Sequence, residues 1–342
     1  MKILTSLVVI SLLGLVISAP TNDDNDKFTI TKSMYQKVLL KYSGSHEIVN
    51  LLYPINSLNF DQSDSSESDS KSNESDADDV ILFFVEADID SEGKRIDQGL
   101  YVLTKGKVTK LLDHGRDAAA SGDDSTQVFF GAADGIYVYN KEKNSAEKYG
   151  TVNDSIIGIA KELFGNVIYI LTENHEVYKV SNEGTTKEKL DDIVNAKQIV
   201  LDTSNNIYFY SDEKKAYVRT PEGVKKIKGL PENPSSVTLI RPYFTFEQGV
   251  GFVVDNVIYF IDANATSERV GIEFAPKAKP SAYSPEAGLI EYYAIDKKIY
   301  EFNLLAMRLS DGVDELKEFL NEKEEDIKSI SKTSRYSHRK IA

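Results

Sequence analysis

The stretch Asn166-Val167-Ile168-Tyr169-Ile170-Leu171, a polar break at Thr172–His175, then Glu176-Val177-Tyr178-Lys179-Val180 reads as one β-hairpin. Two short β-branched and aromatic runs joined by a few polar residues favour paired strands over helix. The same pattern recurs, and its second strand carries a tyrosine each time: Tyr101, Tyr137, Tyr178, Tyr217, Tyr259 and Tyr300. Successive tyrosines stand 36, 41, 39, 42 and 41 residues apart. A period near 40 residues with several strands per unit predicts the blades of a propeller. Strict repetition marks these tyrosines as the solution to a packing problem shared by every blade, not as a ligand site.

Each unit is read as an inner strand, the hairpin and a charged outer strand. Ile156–Ala160 and Gln198–Leu201 are continuous apolar runs, as inner strands covered on both faces require. Thr186–Leu190 and Val224–Ile227 carry lysines, as solvent-facing edges do. The expected fold is all-β, a six-bladed β-propeller over 47–305, with an N-terminal strand closing the last blade and a C-terminal α-helix. Glu47–Leu52 is assigned to that closing outer strand and Tyr53–Phe60 to an inner strand, because no outer strand follows Lys298–Phe302.

Residues 1–18 read as a secretory signal peptide: a basic start, an apolar core from Leu4 to Ile17, and small residues at Ser18 and Ala19. This predicts a secreted, extracellular protein, with 19–46 as an N-terminal extension. The chain of 342 residues has no cysteine, so thiol chemistry and disulfides are excluded and stability must come from burial and ring closure. The net charge of −14 disfavours nucleic acid and anionic membrane as partners. Half of that charge sits in Asp61–Asp79, where eight carboxylates accompany one lysine. Such a composition cannot build a core and is expected to form a disordered acidic loop. Ser65 and Ser72 there fit the Ser-x-Glu pattern of secretory phosphorylation, and weak calcium binding by the loop would follow. In 306–342, Val313, Leu316, Phe319, Leu320 and Ile327 fall on one side of a helix, followed by a basic tail.

Asn73, Asn153 and Asn264 open N-glycosylation triplets. No catalytic set is complete. The histidines, His46, His114, His175 and His338, lack zinc-binding spacing, no Gly-x-Ser-x-Gly elbow occurs, and no phosphate-cradling loop is found. No metal site and no cofactor are therefore assigned, and the reading is non-enzymatic. Loops expected at the channel mouth hold Tyr53, Arg116, Asn195, Arg241, Tyr243 and Tyr283, a set suited to a planar, partly charged small molecule. Arg116 and Arg241 are the candidates for a ligand carboxylate.

Segments such as Val128-Phe129-Phe130-Gly131, Asp134-Gly135-Ile136-Tyr137-Val138-Tyr139 and Asn205-Asn206-Ile207-Tyr208-Phe209 resemble the repeats of the insect (lepidopteran) ommochrome-binding proteins. The resemblance spans roughly Tyr53 to Phe302 and is one of blade pattern; the family as a whole differs in having cysteines. It implies a secreted haemolymph carrier of a small aromatic ligand, an ommochrome pigment or a tryptophan-derived precursor. Calcium-dependent lactonases share the same blade pattern, so a propeller hydrolase is one alternative, with Asn153 and Asn195 among its metal ligands. An extracellular acidic interaction protein is the other. Limited proteolysis should cut first within 61–79 and after Ser329; early cleavage inside a hairpin would overturn the blade assignment.

Overall fold

The computed structural model describes residues 28–54, 81–122, 126–243, 248–287 and 290–303. The acidic tract 61–79 with Asn73, Ser65 and Ser72, the leader, and the helix expected in 306–342 lie outside these residues. The chain enters as an arm. Strand β1 (Phe28–Ile30) is followed by two 3-10 turns (Lys32–Met34 and Lys37–Leu39) and strand β2 (Leu40–Ser43). Six antiparallel sheets then follow in chain order. Blade 1 is β3 (Glu47–Leu52), β4 (Ile81–Ile89), β5 (Arg95–Thr104) and β6 (Lys107–Leu112). Blade 2 is β7 (Gly115–Ala120), β8 (Val128–Ala132), β9 (Gly135–Asn140) and β10 (Ser145–Lys148). Blade 3 is β11 (Ile156–Lys161), β12 (Ile168–Thr172), β13 (Val177–Ser181) and β14 (Thr186–Lys189). Blade 4 is β15 (Gln198–Leu201), β16 (Ile207–Tyr210), β17 (Ala216–Thr220) and β18 (Gly223–Lys226). Blade 5 is β19 (Val237–Ile240), β20 (Val250–Val254), β21 (Val257–Ile261) and β22 (Ser267–Phe274). Blade 6 contributes only β23 (Ala282–Ser284), β24 (Ile290–Ile295) and β25 (Lys298–Asn303).

The missing outer strand of blade 6 comes from the other end of the chain, because β2 pairs antiparallel with β25. An N-terminal strand thus closes the ring, but it is Leu40–Ser43 and not Glu47–Leu52. Glu47–Leu52 is instead the inner strand of blade 1, paired with β4. The misreading has a physical cause: Glu47 and Asn50 suggest a solvent edge, whereas Asn50 belongs to a polar network inside the channel. Tyr53 and Pro54 follow that inner strand and are not part of it. The arm also extends blade 5, with β1 parallel to β22, so the propeller begins well before residue 47.

Alternation along each strand buries one side chain in two against each neighbouring blade. Among the described residues the core accordingly divides into six clusters, one per blade interface. Leu52, Phe83, Val102, Val128 and Phe130 join blades 1 and 2, while Ile48, Leu51, Phe84, Tyr292 and Ile299 join blades 1 and 6. The cluster between blades 5 and 6 takes in Ile30 and Met34 from the arm.

The repeated tyrosines all fall on the third strand of a blade and in a shared register. Tyr101, Tyr137, Tyr178, Tyr217, Tyr259 and Tyr300 face Phe84, Phe130, Ile170, Phe209, Phe252 and Tyr293 on the second strand. On the outer strand the first five face Lys110, Lys148, Lys189, Lys226 and Arg269. The ring covers apolar surface on one side while a long cationic side chain lies beside its other edge, with Lys148 Nζ 4.8 Å from the Tyr137 ring centre. Tyr300 is the exception, and its outer partner is Leu40 of the closing strand.

Tyr35, between the two arm strands, packs edge-on against Tyr300 and Phe302 at 5.4 and 6.0 Å and donates a hydrogen bond to Ala278 O at 3.2 Å. Tyr35→Ala should lower unfolding stability in urea by about 2 kcal/mol, toward the low end for aromatic truncation because the ring is only half-buried. Wild-type stability would show that the arm does not hold the ring closed.

Candidate functional site

All six inner strands run the same way along the channel, so the ring has two distinct faces. At the lower face the inner strands begin; at the upper face they end. This sorts the candidate residues into two groups. Arg116, near the start of β7, and Asn195, in the loop before β15, lie toward the lower face. Asn153 and His114 are also there, exposed in loops that precede inner strands. Tyr53 and Arg241 follow β3 and β19 at the upper face, and Tyr243 and Tyr283 stand beside them between blades 5 and 6. The single constellation expected from the sequence is therefore split, because a strand of about five residues separates residues that are close in sequence by about 17 Å.

Arg116 is committed to neighbours. Its Nε donates to Asp97 Oδ2 at 2.7 Å and its Nη1 to Ser155 Oγ at 2.9 Å, with Glu173 3.5 Å away. Ser155 is the third residue of the Asn153 triplet, so that triplet's hydroxyl is already engaged. Asn195 is exposed, with a left-handed φ of 51°. Asn264 is exposed in the turn between β21 and β22, where Thr266 Oγ1 donates to Asp262 Oδ2.

Arg241 organises the upper half of the channel. It leaves blade 5 and reaches across the axis to blades 1 and 2, which lie on the far side of a six-membered ring. Nη1 donates to Leu51 O at 2.8 Å, and Nη2 donates to Ala118 O at 2.7 Å and Asp117 Oδ1 at 2.9 Å. Asn50 Oδ1 is 3.4 Å from Nη2. Asp117 Oδ1 also accepts from Asn50 Nδ2 and from its neighbour's N–H at Ala118, and its Oδ2 accepts from Ile159 N of blade 3. Burial pushes the Asp117 carboxyl up, opposed first by the Arg241 charge and then by these donors. Four blades are bonded through one carboxylate and one guanidinium. The remaining links are also polar: Gln198 exchanges two hydrogen bonds with the Leu239 backbone, and Ser281 Oγ donates to Ile48 O.

Above this network lies a cavity of about 90 Å³ lined by residues of all six blades. Its walls are apolar: Leu52, Ala119, Ile159, Ile199 and Leu201, with Tyr53 at the side. The guanidinium sits at the level of Leu51 and Ala118, one residue below Leu52 and Ala119, and so forms the floor. Asp202, Lys161 and Glu286 complete the polar lining. Asp202 is fully engaged, accepting from Ser204 N, Asn206 N, Asn206 Nδ2, Tyr208 Oη and Gly249 N. Lys161 donates to Glu162 O and Gly165 O. Glu286 differs. Its Oε2 accepts from Ser284 Oγ at 2.6 Å, but its buried Oε1 accepts no hydrogen bond and lies 3.5 Å from Arg241 Nη1. Burial raises the Glu286 carboxyl, and Arg241 and Ser284 oppose that.

A second cavity of about 30 Å³ adjoins the first between blades 5 and 6. Tyr243, Tyr283 and Tyr293 line it with Phe260 and Phe274. Tyr243 and Tyr293 both donate to the two oxygens of fully buried Glu291, whereas the buried Tyr283 hydroxyl has no partner. Burial pushes Glu291 up to about 8, against the two tyrosine hydroxyls and aided by the charge of Glu286.

Sequence reading found Tyr53, Arg241, Tyr243 and Tyr283 but missed Asn50, Asp117 and Glu286. A lone Asn in Glu47–Leu52 and a lone Asp among alanines in Gly115–Ala120 are the signals available for the first two. Glu286, in a loop beside Pro285, offers none. Asn153 and Asn195, the metal ligands of the hydrolase alternative, both lie toward the lower face, in loops that precede inner strands as expected. The oxygens that converge on the axis are bonded to Arg241, which a cation would have to displace. No group of three or more His, Cys, Asp or Glu placed to hold a metal ion occurs among the described residues.

The ring, its closing strand and its axial cavity define a six-bladed β-propeller. No known protein family matches the chain, and no curated protein matches it. Many solved structures resemble the chain, and two illustrate the likeness. One is PorZ, a surface component of the type-IX secretion system of Porphyromonas gingivalis, with TM-score 0.43 and 12% identity over 65% of this chain. The chain spans 34% of that protein's length. The other is Kuenenia stuttgartiensis hydrazine synthase, with TM-score 0.46 and 10% identity over 80% of this chain and 84% of that one.

Glu291 generates a pH prediction. With a carboxyl raised from 4.5 to about 8, the folded protein keeps a proton that the unfolded chain releases. Stability should therefore fall as pH rises from about 5 to about 8 and level off above that. Glu291→Gln, which mimics the protonated acid between the two tyrosines, should show a flatter dependence of urea midpoint on pH. Parallel curves for the two proteins would refute the assignment.

Proposed function

We propose that this protein is a secreted, non-enzymatic carrier that holds a small aromatic ligand at the upper mouth of its channel. The observation that carries the reading is the axial cavity: six inner strands deliver apolar walls and a few convergent polar groups to one opening, the common anatomy of a small-molecule site. The leader-like residues 1–18 support export, and the resemblance to ommochrome-binding proteins supports a pigment or tryptophan-derived precursor as cargo. Size refines the pose. A dry cavity of about 150 Å³ accommodates benzene, so about 90 Å³ admits one end of a ligand while its ring system stays at the mouth against Tyr53 and Pro54. Arg241 serves as the floor and holds the blades together.

Titration with 3-hydroxykynurenine, xanthommatin and an unrelated planar dye, followed by tyrosine fluorescence, tests the proposal. At least one of the first two should bind below about 100 μM, equivalent to about −5.5 kcal/mol, and the dye should bind more weakly. Failure of both would overturn the carrier reading. Tyr53→Ala should weaken binding about five- to a hundredfold through lost apolar contact.

A further inference from the structure

The carboxyl of Glu286 has one satisfied oxygen and one that accepts nothing, in a side chain only 7% exposed. Buried polar atoms almost always find a partner, and an orphan calls for an explanation. Neighbouring charged groups are well supplied: Asp202 accepts five hydrogen bonds, Asp117 accepts from four donors, and Arg241 donates to Leu51, Asp117 and Ala118. Among the described residues lining this cavity, Glu286 Oε1 is the buried side-chain oxygen left without a hydrogen bond.

We propose that Glu286 is the specificity-determining residue of the channel site and receives a protonated primary amine at the inserted end of the ligand. The inference rests on the carrier reading and deepens it. The charges support an ammonium and oppose a carboxylate. Asp117 neutralises Arg241 at 2.9 Å, and Glu286 stands 3.5 Å beyond on the same guanidinium. An ammonium against Glu286 Oε1 extends this row as alternating charges: Asp117, Arg241, Glu286, amine. A carboxylate at that point would meet the like charge of Glu286 beside a guanidinium that Asp117 already neutralises. The apolar walls suit the methylene carbons that follow the amine, with the ring at the mouth.

Three probes of one shape, 2-phenylethylamine, 2-phenylethanol and 3-phenylpropionate, separate the possibilities by calorimetry on the full mature chain and on Glu286→Gln. Wild type should bind the amine about ten- to a hundredfold more tightly than the alcohol, the range for a hydrogen bond to a charged group, and the acid most weakly. Glu286→Gln should lose the preference for the amine and bind the alcohol unchanged, with an unaltered melting curve confirming that it folds. Equal binding of amine and alcohol by wild type, or a preference that survives in Glu286→Gln, overturns the assignment and leaves the carrier reading standing. Absence of binding by all three up to about 10 mM also overturns it, and the pigment titration then decides the carrier reading separately.

Discussion

The pairing of Leu40–Ser43 with Lys298–Asn303 is the contact on which the rest of the ring depends. Each blade interface is a layer of side chains trapped between two sheets, and each blade takes part in two of them. In an open row the first and last blades would each expose one such layer to water. Bringing blade 6 against blade 1 buries Ile48, Leu51, Phe84, Tyr292 and Ile299 together, and β2 covers the edge of β25 that would otherwise be left unpaired. The arm adds Ile30, Met34 and Tyr35 to the neighbouring interface. Without a disulfide, this pairing and this burial do the work of a covalent clasp.

Closure also fixes the site. Only in a complete ring do blades 1, 2, 3 and 5 face one another closely enough for Arg241 and Asp117 to bond across the axis. Those bonds in turn form the floor of the cavity. Electrostatics follows from the same geometry. Burial pushes the carboxyls of Asp117, Glu286 and Glu291 all up. Asp117 answers with four donors and Glu291 with two tyrosines, while Glu286 is left with an oxygen to spare.

Much of the fold was legible because it is written locally. The hairpins show as runs of Val, Ile, Tyr and Phe, and the tyrosine on each third strand recurs because each ring meets an apolar side chain inward. The lysines at Lys110, Lys148, Lys189 and Lys226 mark outer strands for the same reason: they are the blade edges that meet water. Leu40–Ser43 was not legible. Four residues of mixed polarity carry no period, and their partner lies about 260 residues away in the chain. Asn50 misled the assignment of β3 for a related reason, since a polar residue facing a channel looks the same in sequence as one facing solvent.

By itself, then, the sequence determined the repeat, the number of blades, the order of strands within a blade and the structural role of the tyrosines. Each of these follows from side-chain alternation and nearest-neighbour pairing, which act over a few residues. The tertiary structure decided which strand closes the ring, which candidate residues share a face, and that Arg241 bonds across the axis to Leu51, Asp117 and Ala118. It also singled out Glu286. Those properties depend on what converges on the axis from six separate blades, and no local pattern in the chain carries that convergence.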